Sequence, residues 1–234
     1  MEKHFELTQE YKINFLGVKL FRIKATKNSK YVNEGELGGW IEKEDCLSGN
    51  AWVSGNALVS GDARVYGDAL VYGDALVSGD ARVSGDARVY GDALVSGDAR
   101  VYGDARVYGN ARVYGNALVY GNARVYGNAR VYGNALVYGN ARVYGNALVY
   151  GDARVYGDAE TKSNNDYCCF QNFGSANRTT TFFKEKDNMI KVSCGCFSGS
   201  IEEFENEVRK THGEGKNAKE YISIIEVVKI KFGL

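Results

Sequence analysis

Residues 103–120 read Gly-Asp-Ala-Arg-Val-Tyr, Gly-Asn-Ala-Arg-Val-Tyr, Gly-Asn-Ala-Leu-Val-Tyr, and this six-residue pattern decides the fold. It runs unbroken for 18 hexads, from Gly49 to Tyr156, with alanine always third and valine always fifth. On an extended segment, side chains two residues apart point to the same face. We therefore predict that alanine and valine face inward and that the residue between them faces outward. Glycine followed by Asp or Asn tolerates positive φ, which predicts a corner.

One hexad cannot bury its own valine, so the hexads must stack on one another. Three six-residue sides give a triangular coil, and stacked coils bury a continuous Ala/Val core. The phase continues upstream, because Ile41 and Leu47 fall on the valine position. The pattern predicts a mainly β protein in three parts. Residues 1–36 form an N-terminal β cap, residues 37–159 form a parallel β-helix of about six to seven coils, and residues 163–234 form a small α+β domain.

The hexads resemble the left-handed β-helix of the hexapeptide-repeat superfamily, which includes trimeric acyltransferases and γ-class carbonic anhydrases. This resemblance implies a left-handed fold; a right-handed helix of the bactofilin kind is the structural alternative. Residues 33–40 (Asn-Glu-Gly-Glu-Leu-Gly-Gly-Trp), 174–183 (Gly-Ser-Ala-Asn-Arg-Thr-Thr-Thr-Phe-Phe), 193–199 (Ser-Cys-Gly-Cys-Phe-Ser-Gly) and 211–213 (Thr-His-Gly) resemble prophage-encoded hexapeptide-repeat proteins. That resemblance implies a phage-associated cytosolic protein and carries no established activity.

The residues that the superfamily's enzymes need are missing. By resemblance, an acyltransferase would use a His general base in a projecting loop, and a γ-class anhydrase would bind zinc through three His on the solenoid. This chain has two histidines, His4 and His212, and no insertion interrupts its hexads. We therefore predict a non-enzymatic scaffold or binding protein without catalytic residues, cofactor or metal. A degenerate acyltransferase-like protein is the alternative.

Outward side chains that are 18 residues apart should stack in columns. Leucines occupy the first part of one column and tyrosines the later part of its neighbour, and the candidate interaction surface is Leu58, Leu76, Leu94, Tyr114 and Tyr132. Such ladders arise in any duplicated repeat and stabilise it by covering one another. Contiguous apolar area also marks protein interfaces. This surface predicts self-association as a trimer or dimer, and the resemblance to a superfamily whose members are commonly trimers implies the same.

Charge and composition restrict the remaining partners. The 29 basic and 29 acidic residues balance, which argues against a nucleic-acid partner. Charge is uneven along the repeat, with eight Asp and five Arg in residues 49–108 but one Asp and five Arg in residues 109–156. No apolar run is long enough to span a membrane, and residues 1–30 lack the pattern of a signal peptide. Five cysteines without an export signal predict reduced thiols in a bacterial cytosol.

The residues after the repeat predict strands followed by helices. Residues 179–183 and 189–197 predict two paired strands. Ser200 and Glu203 predict a capping box that opens a helix ending near His212. A second helix is predicted over about residues 217–229, with Tyr221, Ile224 and Val228 on one stripe.

This domain carries the candidate ligand site. Its polar residues suit a small anion, and they are Arg178, Thr179, Thr180, Ser193 and His212. One hypothesis is that the solenoid presents this domain to a host protein. The alternative is a protein that sequesters a small anionic ligand, such as a host defence nucleotide, in the polar cluster.

Four cysteines lie in the same domain, at positions 168, 169, 194 and 196. Neighbours 168 and 169 point to opposite faces of a strand, so at most three cysteines and His212 could share a zinc. The spacing is not that of a zinc knuckle. We expect buried thiols that serve packing.

Overall fold

The computed structural model describes residues 3–14 and 16–234. An antiparallel hairpin of β1 (Phe5–Ile13) and β2 (Lys19–Ala25) precedes β3 (Leu37–Ile41), and a 3-10 turn spans Glu44–Cys46. Nineteen short strands, β4 to β22, then recur every six residues: Trp52–Val53, Leu58–Val59, Arg64–Val65, Leu70–Gly73, Leu76–Val77, Arg82–Val83, Arg88–Gly91, Leu94–Val95, Arg100–Val101, Arg106–Tyr108, Arg112–Val113, Leu118–Val119, Arg124–Val125, Arg130–Val131, Leu136–Val137, Arg142–Val143, Leu148–Val149, Arg154–Val155 and Glu160–Thr161.

The recurring strands form three parallel sheets, which we call faces 1, 2 and 3. Face 1 runs β3-β5-β8-β11-β14-β17-β20, face 2 runs β4-β7-β10-β13-β16-β19-β22, and face 3 runs β6-β9-β12-β15-β18-β21. Each residue pairs with the residue 18 positions away, as Val89 does with Val107. Two faces therefore hold seven parallel strands each, so the chain is a parallel β-solenoid of about seven coils.

The core of the solenoid is the alanine and valine of every hexad. Each of these side chains is at most 1% exposed, from Ala51 to Val155. The residues between them, such as Arg106 and Leu118, remain partly or fully exposed, except for Trp52 in the first coil, which is buried. The predicted inward and outward positions are confirmed.

The corners need glycine for two reasons. Gly109, for example, has a φ of 67°, which L side chains rarely adopt. A Cβ on Gly109 would also lie 3.2 Å from the backbone nitrogen of Gly127 in the next coil. Each corner thus packs directly on the corner of the next coil.

The N-terminal hairpin covers the first coil. Strand β2 pairs antiparallel with β3, so the hairpin extends face 1, while Phe5, Ile23 and Val32 join the Ala/Val core. Gly38 permits this approach, because a Cβ there would lie 2.7 Å from the Trp52 ring. Trp52 is consequently buried.

The C-terminal end is closed by an antiparallel sheet in the order β23 (Tyr167–Phe173), β24 (Arg178–Lys184), β25 (Ile190–Cys194) and β26 (Phe197–Ser200). One face of this sheet places Tyr167 and Phe183 against the last coil. Its other face packs against α1 (Ile201–His212) and α2 (Lys216–Phe232).

Sequence and structure differ in detail within this domain. The predicted strand over residues 189–197 is wrong, because the chain turns at Gly195, which has a φ of 60°, and two strands result. The capping box of Ser200 and Glu203 is confirmed in both of its hydrogen bonds. The second helix is confirmed and is longer than predicted, since it ends only at Phe232, before Gly233 in the left-handed region.

Candidate functional site

The C-terminal sheet divides the predicted polar cluster between its two faces. Thr181 pairs with Ser193, and the Thr181 hydroxyl accepts a hydrogen bond from the Arg154 backbone N–H at 3.0 Å, so this face meets the solenoid. By strand alternation, Thr179 lies on the same face as Thr181. Arg178 lies on the opposite face. The expectation of one cluster is therefore wrong for Thr179 and Ser193.

Thr180 lies on the helix-facing side, but it is inside the core. It is fully buried, and its hydroxyl donates to the Cys194 thiol at 3.2 Å. The side chain thus supports the domain and does not line an accessible site.

Arg178 and His212 do share a cavity, as predicted. It has a volume of about 360 Å³ and lies between β24, β25 and helix α1. The His212 ring stacks on Tyr221 with ring centroids 6.0 Å apart. The guanidinium of Arg178 packs over Gly195, where a Cβ would meet it at 2.5 Å. We call this the arginine pocket; its lining is Arg178, Cys194, Cys196, Phe197, Phe204, Glu207, Val208, Thr211, His212 and Tyr221.

The arginine pocket contains hydrogen-bond donors, among them Arg178 and Tyr221, and one carboxylate, that of Glu207. Burial raises the pKa of Tyr221 to about 12, and the neighbouring Cys194 acts in the same direction, so the phenol stays protonated. Its hydroxyl donates to the Phe173 carbonyl at 3.3 Å. Arg178 forms no ion pair with any residue that the structure describes, whereas Glu207 pairs with Lys210 at 3.4 Å.

The cysteines are separated by the same sheet. Cys168 packs into the helix-facing core, where burial raises its pKa to about 12, and Cys169 packs toward the solenoid. Cys194 is buried, but Cys196 is exposed in the turn after β25, so the expectation of a buried thiol is wrong there. All five cysteines are free, and within residues 3–14 and 16–234 no three His, Cys, Asp or Glu side chains are placed to hold a metal.

A larger concavity lies on the other side of Phe173. This α2 groove has a volume of about 740 Å³ and is lined by Phe170, Phe173, Lys216, Lys219, Glu220, Ser223, Ile224 and Val227. Helix α2 extends the apolar area beyond the groove, with Val227 52% exposed and Ile230 82% exposed. Val227 and Ile230 are thus large apolar side chains on an exposed face that also carries Lys219, Ser223 and Glu226.

Sequence reasoning did not find the α2 groove. The signal was present, because Val227 and Ile230 are three residues apart on a stripe separate from Tyr221, Ile224 and Val228. That second stripe could have been separated from the buried one only by assigning two apolar faces to one helix.

The predicted interaction surface of the solenoid lies on face 1, as its register requires. Leu58, Leu76 and Leu94 are in-register neighbours and are each partly buried. Tyr114 and Tyr132 stack in the adjacent column with ring centroids 4.9 Å apart. The leucines and the tyrosines thus occupy neighbouring columns of face 1 at successive levels, and Arg112 and Arg130 continue the leucine column.

His4 has a local bonding role. It is 5% exposed, and its Nε2 lies 2.9 Å from the carbonyl oxygen of Ala51 in the first coil. Burial lowers its pKa, so the ring is neutral near pH 7. His4 joins the hairpin to the solenoid.

Comparison with known proteins identifies the repeat. Thirteen segments match the YdcK beta solenoid repeat: residues 51–67, 63–79, 81–97, 87–103, 93–109, 99–115, 105–121, 111–127, 117–133, 123–139, 129–142, 135–151 and 141–157. The similarity covers the solenoid and neither end. No curated protein matches the chain. Among the residues that the structure describes, neither C-terminal helix has the length and apolar character needed to cross a membrane.

Proposed function

We propose that this protein is a non-enzymatic binding protein whose solenoid is a stiff spacer and whose C-terminal domain docks a partner protein on helix α2. The observation that carries the proposal is the exposed apolar stripe of Val227 and Ile230 beside the α2 groove. Exposed apolar area of this kind in a folded domain fits a protein partner.

Several features support a role without catalysis. The hexads carry no loop that could position a general base. His4 is engaged by the Ala51 carbonyl, and His212 stacks on Tyr221 away from any carboxylate within hydrogen-bond distance in the described chain. The five free thiols fit a reducing cytosol. A phage-associated setting is part of the proposal and rests on the resemblance of the two ends to prophage-encoded proteins.

The test is affinity capture with the full chain, followed by titration of the purified partner. Wild type should retain one bacterial protein in stoichiometric amount, and Val227→Glu/Ile230→Glu should weaken that binding by at least about tenfold, or about 1.4 kcal/mol. Glu202→Ala/Lys210→Ala on α1 is the control and should bind as wild type. Equal capture by wild type and the α2 variant, or no specific capture, would contradict the proposal.

A second candidate function is sequestration of a small anion in the arginine pocket. The observation that favours it is that Arg178, Tyr221 and His212 line one cavity and that Arg178 has no carboxylate partner within the described residues. Inorganic phosphate and adenosine monophosphate are suitable probes in calorimetry. Arg178→Ala should abolish the binding heat, with Arg100→Ala on face 3 of the solenoid as the matched control; no heat with wild type would eliminate this candidate.

A further inference from the structure

The positive charge of the solenoid is concentrated at one corner. Residues 105–151 contain five arginines and no Asp or Glu. Arg106, Arg124 and Arg142 stack on face 2, and Arg112 and Arg130 stack on face 1. The two columns flank one corner, whose other residues are Tyr108, Tyr126, Tyr144, Asn110, Asn128 and Asn146. We call this set the basic corner.

Most acidic residues of the repeat occupy the other two corners, in the columns Asp62, Asp80, Asp98 and Asp68, Asp86, Asp104. Asp74 and Asp92 belong to the same column as Asn110, Asn128 and Asn146, but they lie in the coils that precede the basic corner. Within the described chain, the ion pair of Arg142 with Glu160, at 3.3 Å, is the one that involves an arginine of the basic corner. Like charges stacked one coil apart repel one another, so an added anion would stabilise this corner.

The tyrosines of the basic corner determine what kind of anion can bind. The rings of Tyr108 and Tyr126 lie 4.9 Å apart and those of Tyr126 and Tyr144 lie 5.0 Å apart, all nearly parallel. Each inner ring is covered on both faces by its neighbours, so nucleobases cannot stack on it. Ring edges and hydroxyl groups remain. Burial raises the pKa of Tyr126, so its hydroxyl stays protonated and able to donate.

The corner therefore offers a repeating set of donors. Guanidinium, phenol and amide groups recur once per coil, and Asn128 donates to Asn146 at 3.3 Å along the corner. Guanidinium groups bind phosphate oxygens by charge-assisted hydrogen bonds. We propose that the basic corner binds a linear phosphate polyanion along the solenoid axis, through its phosphates and without reading bases. The balanced charge of the whole chain argued against such a partner, but the uneven distribution of Asp and Arg along the repeat already indicated this segregation.

The test compares two triple variants in titrations with a labelled oligothymidylate of about 20 nucleotides at about 50 mM salt. Arg112→Ala/Arg124→Ala/Arg130→Ala should weaken binding at least about tenfold and lower the slope of log affinity against log salt by the equivalent of about three phosphate contacts. Arg64→Ala/Arg82→Ala/Arg100→Ala removes the same charge from face 3, beside aspartates, and should bind within about twofold of wild type. Unchanged thermal unfolding of both variants verifies their fold.

Two further arms identify the source of the polyanion. If inorganic polyphosphate displaces the labelled oligothymidylate at a lower phosphate concentration than unlabelled DNA does, the preferred polyanion is inorganic. If DNA displaces it at the lower concentration, the preferred polyanion is a nucleic acid. Either result supports the proposal. Absence of binding to all of these probes, equal losses in the two variants, or a preference of more than about tenfold between thymine and adenine oligomers overturns it. Val227→Glu/Ile230→Glu should leave polyanion binding intact, which separates this proposal from docking on α2.

Discussion

The solenoid and the C-terminal domain bury their apolar residues in opposite ways. The solenoid repeats one small pair, alanine and valine, so every coil has the core of its neighbour. The C-terminal domain uses single large side chains, with Phe204 in edge contact with both Phe182 and Tyr221. Repetition of small residues gives a uniform prism, whereas irregular aromatic packing leaves the α2 groove and the arginine pocket. Regular stacking and these two concavities thus belong to different regions of the chain.

The strongest way to break this comparison is to place a charge in the repeat core. Val107→Asp puts an unpaired carboxylate in a fully buried position, and we expect a loss of more than about 4 kcal/mol in the free energy of unfolding. Arg106→Ala, the outward neighbour, should change it by less than about 0.5 kcal/mol. Denaturant unfolding measures both, and similar losses would disprove the inward and outward assignment.

The junction between the two regions is the next target. Phe183 is fully buried against the last coil, 5.3 Å from the Tyr156 ring. Phe183→Ala should cost about 3–4 kcal/mol and separate the unfolding of the domain from that of the solenoid. Phe197→Ala, on the helix-facing side, should leave the two regions coupled. A single transition with wild-type stability in Phe183→Ala would show that this contact does not join them.

The leucines Leu58, Leu76 and Leu94 on face 1 are the predicted contact between two copies of the chain. We expect wild type to scatter light as a dimer or trimer of the 25.7 kDa chain at micromolar concentration. Leu76→Glu should raise the dissociation constant at least about tenfold, or about 1.4 kcal/mol. Leu118→Glu, on face 3, is the control. A monomeric wild type would refute self-association.

Effects of about 1 kcal/mol are expected at two buried threonines at the C-terminal end of the solenoid. Thr161 occupies a valine position, and its hydroxyl finds no partner among the described residues. Thr161→Val should therefore raise the free energy of unfolding by about 1 kcal/mol. Thr181→Val should lower it by about 1–2 kcal/mol, because its hydroxyl accepts from the Arg154 N–H. Changes of the same sign in both variants would contradict this assignment.

The sequence predicted the inward and outward positions correctly in the solenoid, where each residue has the same surroundings in every coil. Ile41 and Leu47 were assigned to the valine position from phase alone, and they pair with Val59 and Val65. The Ala/Val register then determined every inward position of the solenoid. Local chemistry also sufficed at Ser200, because a capping box depends on residues within one turn.

Prediction was weaker where a side chain's surroundings come from distant elements. Alternation establishes that Thr179 and Thr180 point to opposite faces, but not which face meets the helices. The last coil of the solenoid decides this, because Phe183 and Thr181 pack against it and Phe182 packs against the helices. Arg178 and His212 were correctly brought together, whereas Ser193 was not. The α2 groove depends on the placement of β23 beside α2, which no local pattern encodes.

The stacking of identical corners has a consequence for how such a chain changes in length. Because Gly109 packs on Gly127 as every corner packs on the next, an inserted stretch of 18 residues would extend the solenoid by about 4.8 Å and return the chain to the same face. A single inserted hexad would instead turn the C-terminal domain by about 120° relative to the hairpin. Duplication or loss of whole coils therefore adjusts the distance between the two ends, and single hexads set their angular relationship, without redesign of either end.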